Sequence, residues 1–209
     1  MSPERPLGRF ERWTLLLFVA VVLGLLAGEV ATDYRPAKLG GLFVLLFWIP
    51  LLAVHEAGHA VAAVMCGWSV RRVVIGYGRL VAVWRVRGVP VELRAFPVEG
   101  FVSIAPRRLR RPRLESALIY FAGPGTELVL GAAVLAIVGP ATLLAGSTDP
   151  LVIAAQSLCA AVLVGSFSNL VPHPSRRDDT GGFTPNDGLG ILRSFLLPVE
   201  HWEAMLDPD

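Results

Sequence analysis

The sequence predicts an α-helical polytopic membrane protein. It should have about four transmembrane helices, a small membrane-associated β-sheet or hairpin between the second and third, and a short C-terminal helix. Three observations carry this. Hydrophobic residues make up 54% of the 209-residue chain, above the roughly 45–50% of an average soluble domain with glycine counted as apolar. Only 17% of residues are charged, against about 25% ordinarily. The apolar residues also fall in four blocks, separated by stretches that hold nearly all the charge, as in chains that cross a bilayer repeatedly.

The first block runs from Trp13 to Ala31 behind Arg5, Arg9 and Arg12, and it is long enough to cross an apolar core of about 30 Å. A basic start and an apolar run also describe a cleavable signal peptide, but this run is rather long for one. Gly24 and Gly28 form a G-x-x-x-G pair that would let another helix approach closely. The second block, Leu39 to Cys66, is apolar except for His55, Glu56 and His59. Ionisable groups at membrane depth are costly and face a protein interior or a wet cavity.

From Trp68 to Ala105 the pattern changes. Short β-branched runs such as Leu80-Val81-Ala82-Val83-Trp84 alternate with Gly76, Gly78, Gly88 and Pro90, which reads as strands and hairpins near the membrane surface. The basic run Arg107 to Arg113 follows. The third block covers Ser116 to Val138 and the fourth Leu151 to Val171. The segment Pro172 to Pro185 reads as a polar loop. Leu189, Ile191, Leu192, Phe195, Leu196 and Leu197 then suggest a short apolar or interfacial helix.

Arginine placement sets the orientation. With the N-terminus inside, the cytoplasmic segments hold every arginine except Arg35, and the outer loops hold only Arg35 and Lys38 as bases. Both termini are therefore expected on the cytoplasmic side. A net charge of +2 is too small to argue for nucleic acid, and the 107–113 run is read as a topology signal. Cys66 and Cys159 lie far apart without a C-x-x-C partner, so neither a disulfide framework nor a cysteine metal site is expected. The chain reads as one membrane-embedded domain over 1–209, with 13–31 an accessory helix and 39–192 the core.

His55-Glu56-Ala57-Gly58-His59 fits H-E-x-x-H. On a helix, positions i and i+4 share a face, with Cβ atoms about 5–6 Å apart, so both imidazoles can hold one metal ion. Glu56 stands beside them, placed to take a proton from a water attacking there. Two imidazoles and a carboxylate with one open position suit zinc, one ion per chain. The third ligand must come from Asp178, Asp179, Asp187, Glu127, His173 or His201; Asp187 is narrowly favoured, because Asn186-Asp187-Gly188 opens the last apolar stretch.

The chain here resembles the site-2 protease family of intramembrane zinc metalloproteases, in a compact form without a PDZ domain. Val54-His55-Glu56-Ala57-Gly58-His59-Ala60 matches its zinc motif. Pro97-Val98-Glu99-Gly100-Phe101-Val102 resembles its strand element, and Phe121-Ala122-Gly123-Pro124 its A-G-P. Asn169-Leu170-Val171-Pro172 with Asn186-Asp187-Gly188 resembles its N-x-x-P and D-G pair. The resemblance implies Asp187 as third ligand, Asn169 positioning substrate or the backbone of the metal site, and Gly100 near the substrate. It also implies a three-helix core and a cavity open to the cytoplasm.

Glu99 replaces a glycine of the strand motif and would put a carboxylate beside the substrate path. Glu127 stands where the family often has Asn, as a group behind the ligands or a competing ligand. The implied substrates are membrane-tethered proteins cut in or near their transmembrane segments, such as anti-sigma factors or signal-peptide remnants. The arginine-rich, lysine-poor composition suggests a bacterial inner or plasma membrane. The rival reading is an inactive membrane scaffold or a metal-binding protein. Against it, Glu56 is present and would serve no purpose in a purely structural zinc site. Nothing in the sequence fixes the oligomeric state.

Overall fold

The computed structural model describes residues 9–177 and 183–206. Helix α1 spans Arg9–Thr32 and α2 Pro36–Met65; strands β1 (Trp68–Val86) and β2 (Val89–Pro106) follow. Then come α3 (Pro112–Val138), α4 (Pro140–Leu144), α5 (Pro150–Leu170), strands β3 (Pro174–Arg177) and β4 (Phe183–Pro185), and helices α6 (Asp187–Leu196) and α7 (Val199–Glu203).

Among the described residues, three helices are long and apolar enough to cross a membrane: α2, α3 and α5, with 30, 27 and 21 residues. Each opens on a proline in its first turn, where the missing N–H costs nothing and the fixed φ suits the helix. The expected fourth span is not established. Among the described residues the apolar stretch of α1 is the shorter Val19–Thr32, and α1 makes a few contacts with α2. Among the described residues no atom lies within 4 Å of where a Cβ would stand on Gly24 or Gly28, so that pair brings no described helix close.

α2, α3 and α5 pack on one another, and α6 packs on α3. The distribution of side chains is inverted relative to a water-soluble bundle. Large apolar groups such as Leu45, Ile49, Val61, Val129, Leu163 and Phe167 point outward. His55, Glu56, His59, Glu127, Ser157, Ser166 and Asp187 are buried between the helices. Lipid removes the hydrophobic drive for helices to associate, so close backbone approach and polar contacts hold them together. Gly58 is where α2 meets α3: a Cβ there would lie 2.5 Å from the Ala122 carbonyl oxygen and from Thr126 Oγ1.

The sheet follows the expected 68–105 stretch closely, but it is not confined to the end of α2. β1 and β2 join through Arg87 and Gly88, both at positive φ (51° and 88°), as a two-residue hairpin turn demands. The antiparallel pair is irregular. Val73, Val74 and Ile75 have partners on both sides: Val102, Phe101 and Gly100 on one, Val91, Glu92 and Leu93 on the other. This folded-over sheet runs back along α2. The Trp48 indole donates to the Pro97 carbonyl at 2.8 Å, roughly 25 Å along the helix from Met65 by helix rise. The other end is clamped where Ala63, Trp68, Ile119 and Trp202 form a buried cluster.

The segment read as a polar loop carries the short β3–β4 pairing. The C-terminal stretch forms two helices, because Pro198 interrupts it and α7 starts after that residue.

Candidate metal centre

The H-E-x-x-H residues lie inside α2, roughly 9–15 Å from its Met65 end. His55 Nε2 and His59 Nε2 are 3.0 Å apart. Asp187, the first residue of α6, completes a triangle: Oδ2 is 3.0 Å from His55 Nε2 and Oδ1 is 3.3 Å from His59 Nε2. In tetrahedral zinc sites with bonds of about 2.0–2.2 Å, neighbouring ligand atoms stand roughly 3.3–3.6 Å apart, so the observed spacing falls within a few tenths of an ångström. Among the described residues, this is the group of His, Cys, Asp and Glu that converges closely enough to hold a metal ion.

The outer sides of the two rings support the fit. His59 Nδ1 is 2.6 Å from the Ile119 carbonyl, one turn before the position where Pro124 interrupts the hydrogen-bond ladder of α3. His55 Nδ1 faces Glu127 Oε1 at 3.4 Å, within ion-pair distance, and makes no hydrogen bond. With protons on both Nδ1 atoms, two bare nitrogen lone pairs and a carboxylate face one another, an arrangement that calls for a cation. Gly123 leaves the space clear: a Cβ there would run into His59 Nε2 and lie 2.6 Å from His55 Nε2.

Glu56 is 3% exposed, and its Oε2 has no hydrogen-bond partner. Its carboxylate packs against Gly100 on β2, where a Cβ would stand 2.6 Å from Oε1. Glu56 and the Gly100 strand are thus brought together. Glu99 is the next residue on that strand and is partly buried. Asn169 sits at the end of α5, and its backbone carbonyl accepts from Asn186 Nδ2 at 2.8 Å.

The other ligand candidates fall away from the triangle or outside the described residues. His173 bonds near the α5 end, its Nδ1 facing the Val171 carbonyl at 2.9 Å. His201 stacks edge-on against Trp202. Asp178 and Asp179 lie outside the described residues. Both cysteines are free and partly buried.

Sequence reasoning missed Asn186. Its Nδ2 donates to the carbonyls of Asn169 and Val171 (2.8 and 2.7 Å), and its Oδ1 accepts from the backbone N–H groups of His173 and Leu189 (both 3.0 Å). It caps α6 and pins that helix to the end of α5, which sets Asp187 opposite the histidines. Asn before an acidic first helical residue is a legible capping signal; the convergence of two chain segments on it is not.

A helical bundle with polar groups inside and apolar groups outside, built around an H-E-x-x-H helix, defines a membrane protein with a candidate metal centre between its helices. Comparison with known families agrees: residues 42–195 match the model of peptidase family M50, and the chain belongs to that family, which includes the site-2 proteases.

The chain is 31% identical over 98 residues to "Probable membrane metalloprotease ARASP2, chloroplastic" of Arabidopsis thaliana, covering 41% of this chain and 22% of that one. It is 36% identical over 94 residues to a Nostoc sp. protein provisionally named zinc metalloprotease all3971, covering 38% and 25%. It is 42% identical over 53 residues to "Membrane metalloprotease ARASP, chloroplastic" of Arabidopsis thaliana, covering 25% and 12%. These matches span a quarter or less of each relative's length.

Proposed function

We propose that this protein is an intramembrane zinc metalloprotease, a single membrane-embedded unit that hydrolyses peptide bonds in or near the transmembrane segments of membrane-tethered proteins. The observation that carries the reading is the convergence of His55, His59 and Asp187 between apolar helices, with Glu56 beside them against a β-strand. His55, His59 and Asp187 hold one zinc ion. When bound, zinc lowers the pKa of a water and polarises the scissile carbonyl. Glu56 accepts the proton of the attacking water and delivers it to the leaving nitrogen.

A helical substrate must unwind first, because its carbonyls are already hydrogen-bonded. The strand around Gly100, next to the Glu56 carboxylate, offers backbone pairing to the unwound segment. Glu99, adjacent on that strand, lines the substrate path. The protein lies in a bacterial inner or plasma membrane with both termini and the opening of the site on the cytoplasmic side. This orientation rests on the arginine distribution.

Purified wild type and Glu56→Gln protein in lipid nanodiscs, given a model transmembrane substrate, test the reading. Wild type should cleave and hold zinc. Glu56→Gln should hold zinc and cleave at least about 100-fold more slowly, the low end of general acid–base contributions. A Glu56→Gln protein that binds zinc and cleaves as fast as wild type refutes the mechanism.

A further inference from the structure

Glu127 is 5% exposed, on a helix that needs no charge to pack. Small or neutral polar residues suffice to join membrane helices, and an ionised carboxylate away from water is costly. Its surroundings are specific. Oε2 accepts from Ser166 Oγ on α5 at 3.0 Å. Gly165, on the same helix, lies beside the carboxylate, where a Cβ would be in ordinary contact, 3.7 Å from Oε2. Oε1 faces His55 Nδ1 at 3.4 Å, and among the described residues His55 is the one basic group paired with it.

The nitrogen Glu127 faces is the one pointing away from the metal triangle. A proton held there leaves Nε2 as the ligating lone pair and fixes the plane of the ring. His59 Nδ1 has a closer partner in the Ile119 carbonyl, at 2.6 Å. The two differ in charge. A dication held by one carboxylate and two neutral imidazoles leaves an excess positive charge in a medium that screens it poorly. A second carboxylate behind a ligand removes that excess and leaves Glu56 free to take and release a proton.

We infer that Glu127, held by Ser166, is the positioning and charge-compensating residue for His55, which it orients from behind without ligating the metal. The inference rests on the zinc reading above and deepens it. A carboxylate serving only to join α3 to α5 would be replaced by glutamine without effect on metal binding. A direct ligand would have to approach from the Nε2 side.

The test uses full-length protein in detergent with zinc as the probe, comparing wild type, Glu127→Gln, Glu127→Ala and Ser166→Ala. Zinc affinity is read by chelator competition, ligand number by X-ray absorption, and folding by melting of the metal-free forms. Wild type should bind one zinc. Glu127→Gln should bind it about 10–100-fold more weakly, the usual range for groups behind metal ligands. Its metal-free form should melt no lower than wild type, and the number of atoms bound to zinc should be unchanged. Ser166→Ala should shift affinity the same way by less, and it carries the test if the Glu127 variants do not fold.

Equal zinc affinity in Glu127→Gln and wild type overturns the inference in favour of a helix clamp. Loss of one oxygen ligand in Glu127→Gln overturns it in favour of direct ligation. A wild type that binds no zinc sinks the metal-site reading itself.

Discussion

Substituting Gly123 by alanine adds one methyl group at the place where the site has least room. A Cβ at 123 would collide with His59 Nε2 and stand 2.6 Å from His55 Nε2. A comfortable carbon–nitrogen contact is about 3.5 Å, so the His55 ring alone must retreat by roughly 0.9 Å. That ring is held on α2 with Glu127 behind it, so it has little room to turn away. Misplacement by about 1 Å costs on the order of 100-fold in catalysis, and the methyl also occupies space the ion needs. The backbone does not suffer, because alanine is favoured over glycine in a helix by about 1 kcal/mol. Zinc content measured by mass spectrometry, cleavage rate and melting temperature together check this. The expected result is a folded protein with little zinc and at least about 100-fold lower activity. Gly41→Ala is the control, since no atom lies within 4 Å of a Cβ there, and it should behave as wild type. A Gly123→Ala protein with full zinc and full activity refutes the packing argument and the placement of the ion.

Gly100→Ala should separate metal binding from chemistry. Its Cβ would press on the Glu56 carboxylate at 2.6–2.8 Å and on the Val74 carbonyl oxygen at 2.6 Å, so the strand and Glu56 must both shift; zinc should stay bound while kcat falls more than tenfold, within the range general base catalysis contributes, and unchanged kcat would detach Glu56 from this strand. Asn186→Ala removes the α6 cap and its cross-links to α5. A lost cap costs about 1 kcal/mol, and zinc affinity should fall as well because Asp187 is the next residue; a melting change with unaltered zinc affinity would make Asn186 structural only. Asp187→Ala should abolish tight zinc binding, measured by chelator competition, and retained affinity would move the third ligand elsewhere. Stripping zinc from wild type with a chelator should lower its melting temperature, because an ion that binds only the folded state stabilises it; no change would mean that the ion contributes nothing to the fold.

How much was legible depended on how local each feature is. His55 and His59 are one helical turn apart, so sequence spacing alone puts them on one face. The long spans were legible for the same reason: composition over some twenty residues decides them. Asp187 was narrowly favoured from its place at a helix start, and the motif resemblance did the rest. Its distance to the histidines depends on how α5 ends and α6 begins. Asn186, which governs that junction, shows only a capping signal, because its value comes from carbonyls contributed by another helix. The sheet was legible as strands but its position was not. Alternating residues do not say how far a sheet extends along a neighbouring helix, and the Trp48–Pro97 contact joins residues nearly fifty positions apart. The role of Glu127 was open because a buried carboxylate reads the same whether it ligates a metal or stands behind one.

That contact between Trp48 and Pro97 bears on how a sheet can exist at this depth at all. A strand whose outer margin lies among acyl chains has no water to satisfy its carbonyls and amides, and each group left bare costs several kcal/mol. Proline removes the amide from this demand, since it has none. The indole of Trp48 answers the carbonyl that is left. Residue 97 therefore leaves no backbone group unpaired: the amide is absent, and the carbonyl is held by a helix of the same chain.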